Sequence, residues 1–157
     1  MENLESLILT KKSRYSLEYI TVAERFGEIL GVIVLIPSNK LEILSMNTDF
    51  KLINKFQGLK NKCFFILDCI KLIICKECEE GELYLANVAT STKVRGLGVG
   101  KILMDYAEKI AKKNKYYGIS LLAKDEEVSS FYKKLNYKTI LDKVILGERF
   151  IKMAKAF

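Results

Sequence analysis

The stretch that most restricts this chain is Val94-Arg95-Gly96-Leu97-Gly98-Val99-Gly100-Lys101, near the middle of the sequence. A strand-like run, Glu82 to Ala89, comes before it, after a turn at Glu79-Glu80-Gly81. A helical pattern follows from Val99 to Asn114, with Ile102, Leu103, Tyr106, Ala107, Ile110 and Ala111 expected on one face. Three alternating glycines exceed what a tight turn needs. They let successive N–H groups converge, and the following helix adds its positive end. The pattern predicts an anion site built from a strand, a loop and a helix.

Two familiar phosphate motifs fail by counting. A P-loop needs glycine where Arg95 stands and Ser or Thr where Ile102 stands. A dinucleotide fingerprint needs glycine at Lys101.

The rest of the chain supplies an α/β frame. Leu4 to Thr10 reads as a short helix. Tyr19 to Glu24 and Ile29 to Ile36 read as strands joined by a hairpin turn at Arg25 to Glu28, with Gly27 as its permissive residue. Pro37-Ser38-Asn39 ends the second strand. Leu41 to Phe56 has helical spacing and Gly58 closes it. Phe64 to Ile74 is apolar nearly all round and is read as a buried helix, with a strand as the alternative. Tyr117 to Ala123 is a buried strand. Asp125 caps a helix that runs to Leu135, and Asn136 stands at its left-handed end. Two last strands are expected at Tyr137 to Leu141 and Val144 to Ala154, with Gly147-Glu148 as a bulge or bend. A mixed sheet follows from this order.

Composition narrows the function classes. The chain has 157 residues and is read as one domain, 1–157. Half of its residues are hydrophobic, yet no apolar run is long enough to span a bilayer, and the N-terminal residues lack a signal-peptide pattern. A cytoplasmic location without a membrane partner is the expectation. The net charge is +7, spread mostly over lysines. No dense arginine tract and no aromatic-interleaved basic stripe accompanies it, which argues against nucleic acid. Cys75 and Cys78 form a lone CxxC, with Cys63 and Cys69 upstream and no histidine anywhere. No metal is expected, and reduced structural thiols are the plainer reading.

Around the glycine loop the chain resembles the GNAT superfamily of N-acetyltransferases. Arg95-Gly96-Leu97-Gly98-Val99-Gly100 matches the family's Arg/Gln-x-x-Gly-x-Gly/Ala, LYLANVAT resembles its fourth strand, and VSSFYKKLNYK resembles its tyrosine segment. The resemblance is firm over about residues 80–140. Thr92 stands where a proline is common, and Asn136 replaces the usual glycine. The family begins with a strand and one or two helices that help form the amine site. Only the residues before Tyr19 precede the first clear strand here, so a shortened N-terminal region is expected.

The resemblance implies a mixed, mostly antiparallel sheet flanked by helices, and transfer of acetyl from acetyl-CoA to a primary amine. It implies that the backbone of Val88, Ala89 and Thr90 pairs with pantetheine as an added strand would. The N–H groups of Arg95, Gly96, Leu97, Gly98, Val99, Gly100 and Lys101 would hold the pyrophosphate. Asp125 stands where a cofactor-contacting asparagine is usual. Tyr132 stands where a general acid is usual, with a packing tyrosine as the alternative. Val88 N–H is the candidate oxyanion donor. Glu82, Tyr84 and Asn87 lie on the strand entering the site; Glu82 is either a base acting through water or a solvated strand-end carboxylate. A non-catalytic acyl-CoA-binding module and a basic nucleic-acid-binding domain are the rival readings. A homodimer would cover the front sheet edge and the final strands.

Overall fold

A computed structural model describes Glu5 and residues 7–53, 65–67 and 76–157. Cys63, Cys69 and Cys75, the expected stop at Phe56-Gly58 and most of Phe64 to Ile74 lie outside the described residues; 65–67 are helical. Six strands form one sheet: β1 (Ile20–Arg25), β2 (Glu28–Pro37), β3 (Leu83–Thr90), β4 (Gly118–Ala123), β5 (Lys138–Ile145) and β6 (Glu148–Ala156). Their spatial order is β1-β2-β3-β4-β6-β5. Every neighbouring pair is antiparallel except β3–β4. Among the described residues three long helices flank the sheet: α1 (Ser38–Ile53), α2 (Val99–Lys113) and α3 (Glu126–Lys134).

Alternation along the strands divides the buried residues between two faces. Ile33, Leu35, Leu83, Leu85, Ile119, Leu121, Ile151 and Met153 pack with Leu103, Met104, Ala107 and Ala111 of α2 and Tyr132 of α3. Val34, Ile36 and Tyr84 point to the opposite, second face, where Leu41 and Leu44 of α1 join Tyr19. The helix between β2 and β3 thus covers the face that α2 leaves open.

The expected stripe of α2 is corrected. Val99, Leu103, Met104, Ala107 and Ala111 are buried, while Ile102 is 61% exposed and Tyr106 39%. The row 99–103–107–111 faces the sheet because its two alanines permit close approach and because Gly31 of β2 lies beneath it. A Cβ on Gly31 would stand 2.9 Å from the Ala89 carbonyl oxygen and 3.0 Å from Leu103 Cδ1.

Gly147 is a second correction. It is the hairpin turn between β5 and β6 and not a bend within one strand, and β5 runs unbroken through Asp142 and Lys143. Leu146 and Gly147 have φ of 50° and 85°, and Phe26-Gly27 repeats the arrangement at 53° and 80°. Positive φ at both central residues is what a two-residue hairpin of right-handed strands requires. Pro37 belongs to β2 as its last residue, opposite Leu83.

Candidate functional site

The site begins where β3 and β4 part. They pair only over Leu83–Leu85 with Ile119–Leu121, whereas β3 continues against β2 to Thr90, opposite Gly31. Beyond Leu85 the two parallel strands form a fork. At its apex β3 carries a bulge: Leu85 and Asn87 have successive partners on β2, and Ala86 has none. No sequence signal marked Ala86, because a bulge is a relation between two strands.

Backbone direction within the fork follows from one hydrogen bond. Ser91 N–H donates to the Leu30 carbonyl on the β2 side, at 2.8 Å. Alternation along an antiparallel strand turns Ala89 to β2 as well, and its carbonyl lies over Gly31. Val88 and Thr90 therefore direct their N–H and C=O groups to the side from which β4 has departed. An extended ligand in the fork would meet Val88 and Thr90 as a strand meets a sheet edge.

The glycine loop lies at the open end of β3, across a short 3-10 turn, Thr92–Val94. Gly96 and Gly98 have φ of 77° and 81°, and nothing stands within 4 Å of a Cβ added to either. These glycines answer to backbone conformation and leave clear space before the loop. Gly98 caps α2 without a side-chain hydrogen bond, and Ile102 N–H to the Gly98 carbonyl is the first turn of the ladder. The N–H groups of Val99, Gly100 and Lys101 precede that bond at the positive end of a 15-residue helix. This set, with exposed Arg95 and Lys101 beside it, can hold a phosphate. Gly100 faces Phe131 of α3, 3.4 Å from its Cβ position, and Thr90 at 3.9 Å, so loop, β3 and α3 converge.

Tyr132 lies on the inner face of α3, 4% exposed. Its ring stands 5.2 Å from that of Phe131 and 5.8 Å from that of Tyr137. No hydrogen bond to its hydroxyl occurs among the described residues. Burial pushes its pKa up to about 12, so it stays protonated at neutral pH and can act as an acid. Asp125 caps α3, its Oδ1 accepting the Val128 N–H at 2.8 Å.

Glu82 sits at the foot of β3, 6% exposed, three residues before the fork apex and therefore about 10 Å from it along the strand. Val88 lies three residues past the apex. The Glu82 Oε2 accepts the Glu79 N–H at 2.9 Å and faces the Cys78 thiol at 3.9 Å; Oε1 makes no hydrogen bond among the described residues. A proton released near Val88 reaches this carboxylate only through water. Tyr84 has a different partner: its hydroxyl donates to Glu77 at 2.6 Å, and Glu77 is held by both terminal nitrogens of Arg14. Asn87 is exposed on the second face beside the fork. The cysteine that is described, Cys78, is buried, and burial pushes its thiol up to about 11. No group of side chains with metal-binding character occurs among the described residues.

A forked sheet with a glycine cradle at its open end can hold an extended ligand that ends in a phosphate. Residues 60–139, about half of the chain, match the acetyltransferase (GNAT) domain model, and the chain belongs to this family. Among solved structures, an acetyltransferase superposes with a TM-score of 0.68 at 19% identity, covering 99% of this chain and 78% of its own. An N-acetyltransferase from Staphylococcus aureus Mu50 gives 0.67 at 17%, covering 98% and 79%. A polyamine N-acetyltransferase of Drosophila melanogaster, which forms N-acetylagmatine, gives 0.66 at 14%, again covering 98% and 79%. These likenesses concern the fold. No curated protein sequence matches the chain. No described helix is long and apolar enough to cross a membrane.

Proposed function

We propose that this chain, acting as one domain, is an acetyl-CoA-dependent N-acetyltransferase in which a primary amine attacks the thioester directly in a ternary complex. The observation that carries the reading is the β3–β4 fork opening beside a glycine-lined helix N-terminus that no side chain caps. Pantetheine lies in the fork against Val88 and Thr90, and the pyrophosphate lies on the N–H groups of Gly96, Gly98, Val99, Gly100 and Lys101; those of Arg95 and Leu97, expected in the same set, donate to the Thr92 and Val94 carbonyls instead. Val88 N–H donates to the oxygen that gains charge as the amine attacks. The Tyr132 hydroxyl, protonated at neutral pH, gives its proton to the departing thiolate. Glu82 accepts the amine's proton through water. Asp125 serves first as the cap of α3 and is assigned a further contact with the cofactor.

The test has two stages. Acetyl-CoA and CoA raise the melting temperature of the wild type, ATP does so less, and Gly98→Glu abolishes the effect, because only a ligand of the folded state can stabilise it. CoA release is then followed over a panel of spermidine, agmatine, aminoglycosides, free amino acids and peptide N-termini; the Drosophila neighbour is the reason for the first two. Turnover with one class, reduced about 100-fold or more in Tyr132→Phe while the acetyl-CoA shift stays, is the expected result. Stabilisation without turnover would leave an acyl-CoA-binding module. Salt-sensitive retention on DNA that CoA does not compete would replace the reading altogether.

A further inference from the structure

The turn 76–82, just before β3, lies against the second face of the sheet. It carries Glu77, Glu79, Glu80 and Glu82 within six residues. Two of these are engaged by other elements and a third from within the turn. Glu77 is held by Arg14 and Tyr84. Glu79 binds Lys76 and also Lys152, the latter at 2.9 Å. Glu82 accepts the Glu79 N–H.

Lys152 is the unusual member. It lies in the middle of β6 between Ile151 and Met153, which face the helices, so its own side chain faces the second side. It is 4% exposed. An ammonium in such a place is tolerated only when paired and hydrogen-bonded. It donates to the Lys76 carbonyl at 2.7 Å and to Glu79 Oε1 at 2.9 Å. Both ends of one short segment are thereby tied to β6, a strand that neither carries the glycine loop nor borders the fork. The same segment supplies the N–H that fixes Glu82 Oε2.

We propose that Lys152 is a positioning residue for Glu82: it anchors the 76–82 turn so that the Glu79 N–H holds Oε2 and leaves Oε1 to receive a proton. This rests on Glu82 being the base. Lys152 touches no substrate; it acts through Glu79. Cys78 of the turn and Tyr117 ahead of β4 are ionisable groups that face the Glu82 carboxylate, and Glu79 reaches it through its backbone N–H.

The test needs no acceptor. In Lys152→Met, amide exchange at Glu79 accelerates about tenfold or more, while the amides of β3, β4 and β6 keep their protection. Lys152→Arg restores part of the Glu79 protection. In the acetylation assay kcat falls in Lys152→Met while the KM for acetyl-CoA stays, and Lys152→Arg recovers part of the kcat. A folded Lys152→Met with unchanged Glu79 exchange overturns the proposal. Should that variant not fold, Glu79→Leu breaks the same tie at a partly exposed side chain, and its residue-79 amide exchange decides in the same way. Glu82→Gln separates the two ideas: wild-type turnover in it removes Glu82 as base, whatever the turn does.

Discussion

At the scale of single residues, the glycines divide by what forbids a side chain. Gly31 is barred by space. An added Cβ meets the Ala89 carbonyl at 2.9 Å, and a backbone atom cannot step aside as a side-chain tip can. Gly31→Ala should lower stability by about 1 to 3 kcal/mol, read as a shifted urea midpoint. Gly98 is barred by its φ of 81° and has open space before it. Gly98→Ala should cost about 1 to 2 kcal/mol through backbone strain alone. Gly98→Glu should in addition expel the cofactor, as its absent thermal shift will show. The glycine loop was legible in the sequence because its spacing is local. Gly31 was not, since its reasons are the Ala89 carbonyl on a neighbouring strand and the helix packed above it, both far along the chain.

At the scale of elements, α3 is the best-marked piece. Asp125 caps it as the spacing predicted, and Asn136 adopts φ 67° at its end. Asp125→Ala should cost about 1 kcal/mol, whereas Asp125→Asn should keep the cap. If acetyl-CoA affinity falls in Asp125→Ala and recovers in Asp125→Asn, the residue touches the cofactor as well as capping the helix. Element boundaries were harder to read where two strands or a helix and a sheet had to agree. The Leu146-Gly147 turn lacks the Asn-Gly signal of its type, so a hairpin read as a bend. The face of α2 was misread because rows 102–106 and 103–107 are both apolar, and only contact with β2 chooses between them.

At the scale of the molecule, one buried thiol and three buried phenols shift in the same direction. Burial raises the Cys78 thiol to about 11 and Tyr132 to about 12, and it raises Tyr84 and Tyr137 as well. In each case the folded state prefers the neutral form. Their contribution is complete below the unfolded values of 9.0 for the thiol and 10.0 for the phenols, and is lost as pH climbs through the folded ones. Urea midpoints should therefore hold steady from pH 7 to about 9 and fall from there to about 12, with a shallower fall above pH 10 in Tyr132→Phe.

What the sequence determined alone is what near neighbours dictate: the strand, the glycine loop, the helix after it, the cap of α3, and through these the family. Tertiary structure decided the rest. It set how far β3 and β4 stay paired, and so where the fork opens and which N–H groups line it. It placed a helix from the β2–β3 connection on the second face. It brought Lys152 to the turn at Glu79, a meeting across 73 residues. A local rule rests on bonds within one or two turns of chain, while the fork and the buried lysine exist only once separate strands share a sheet.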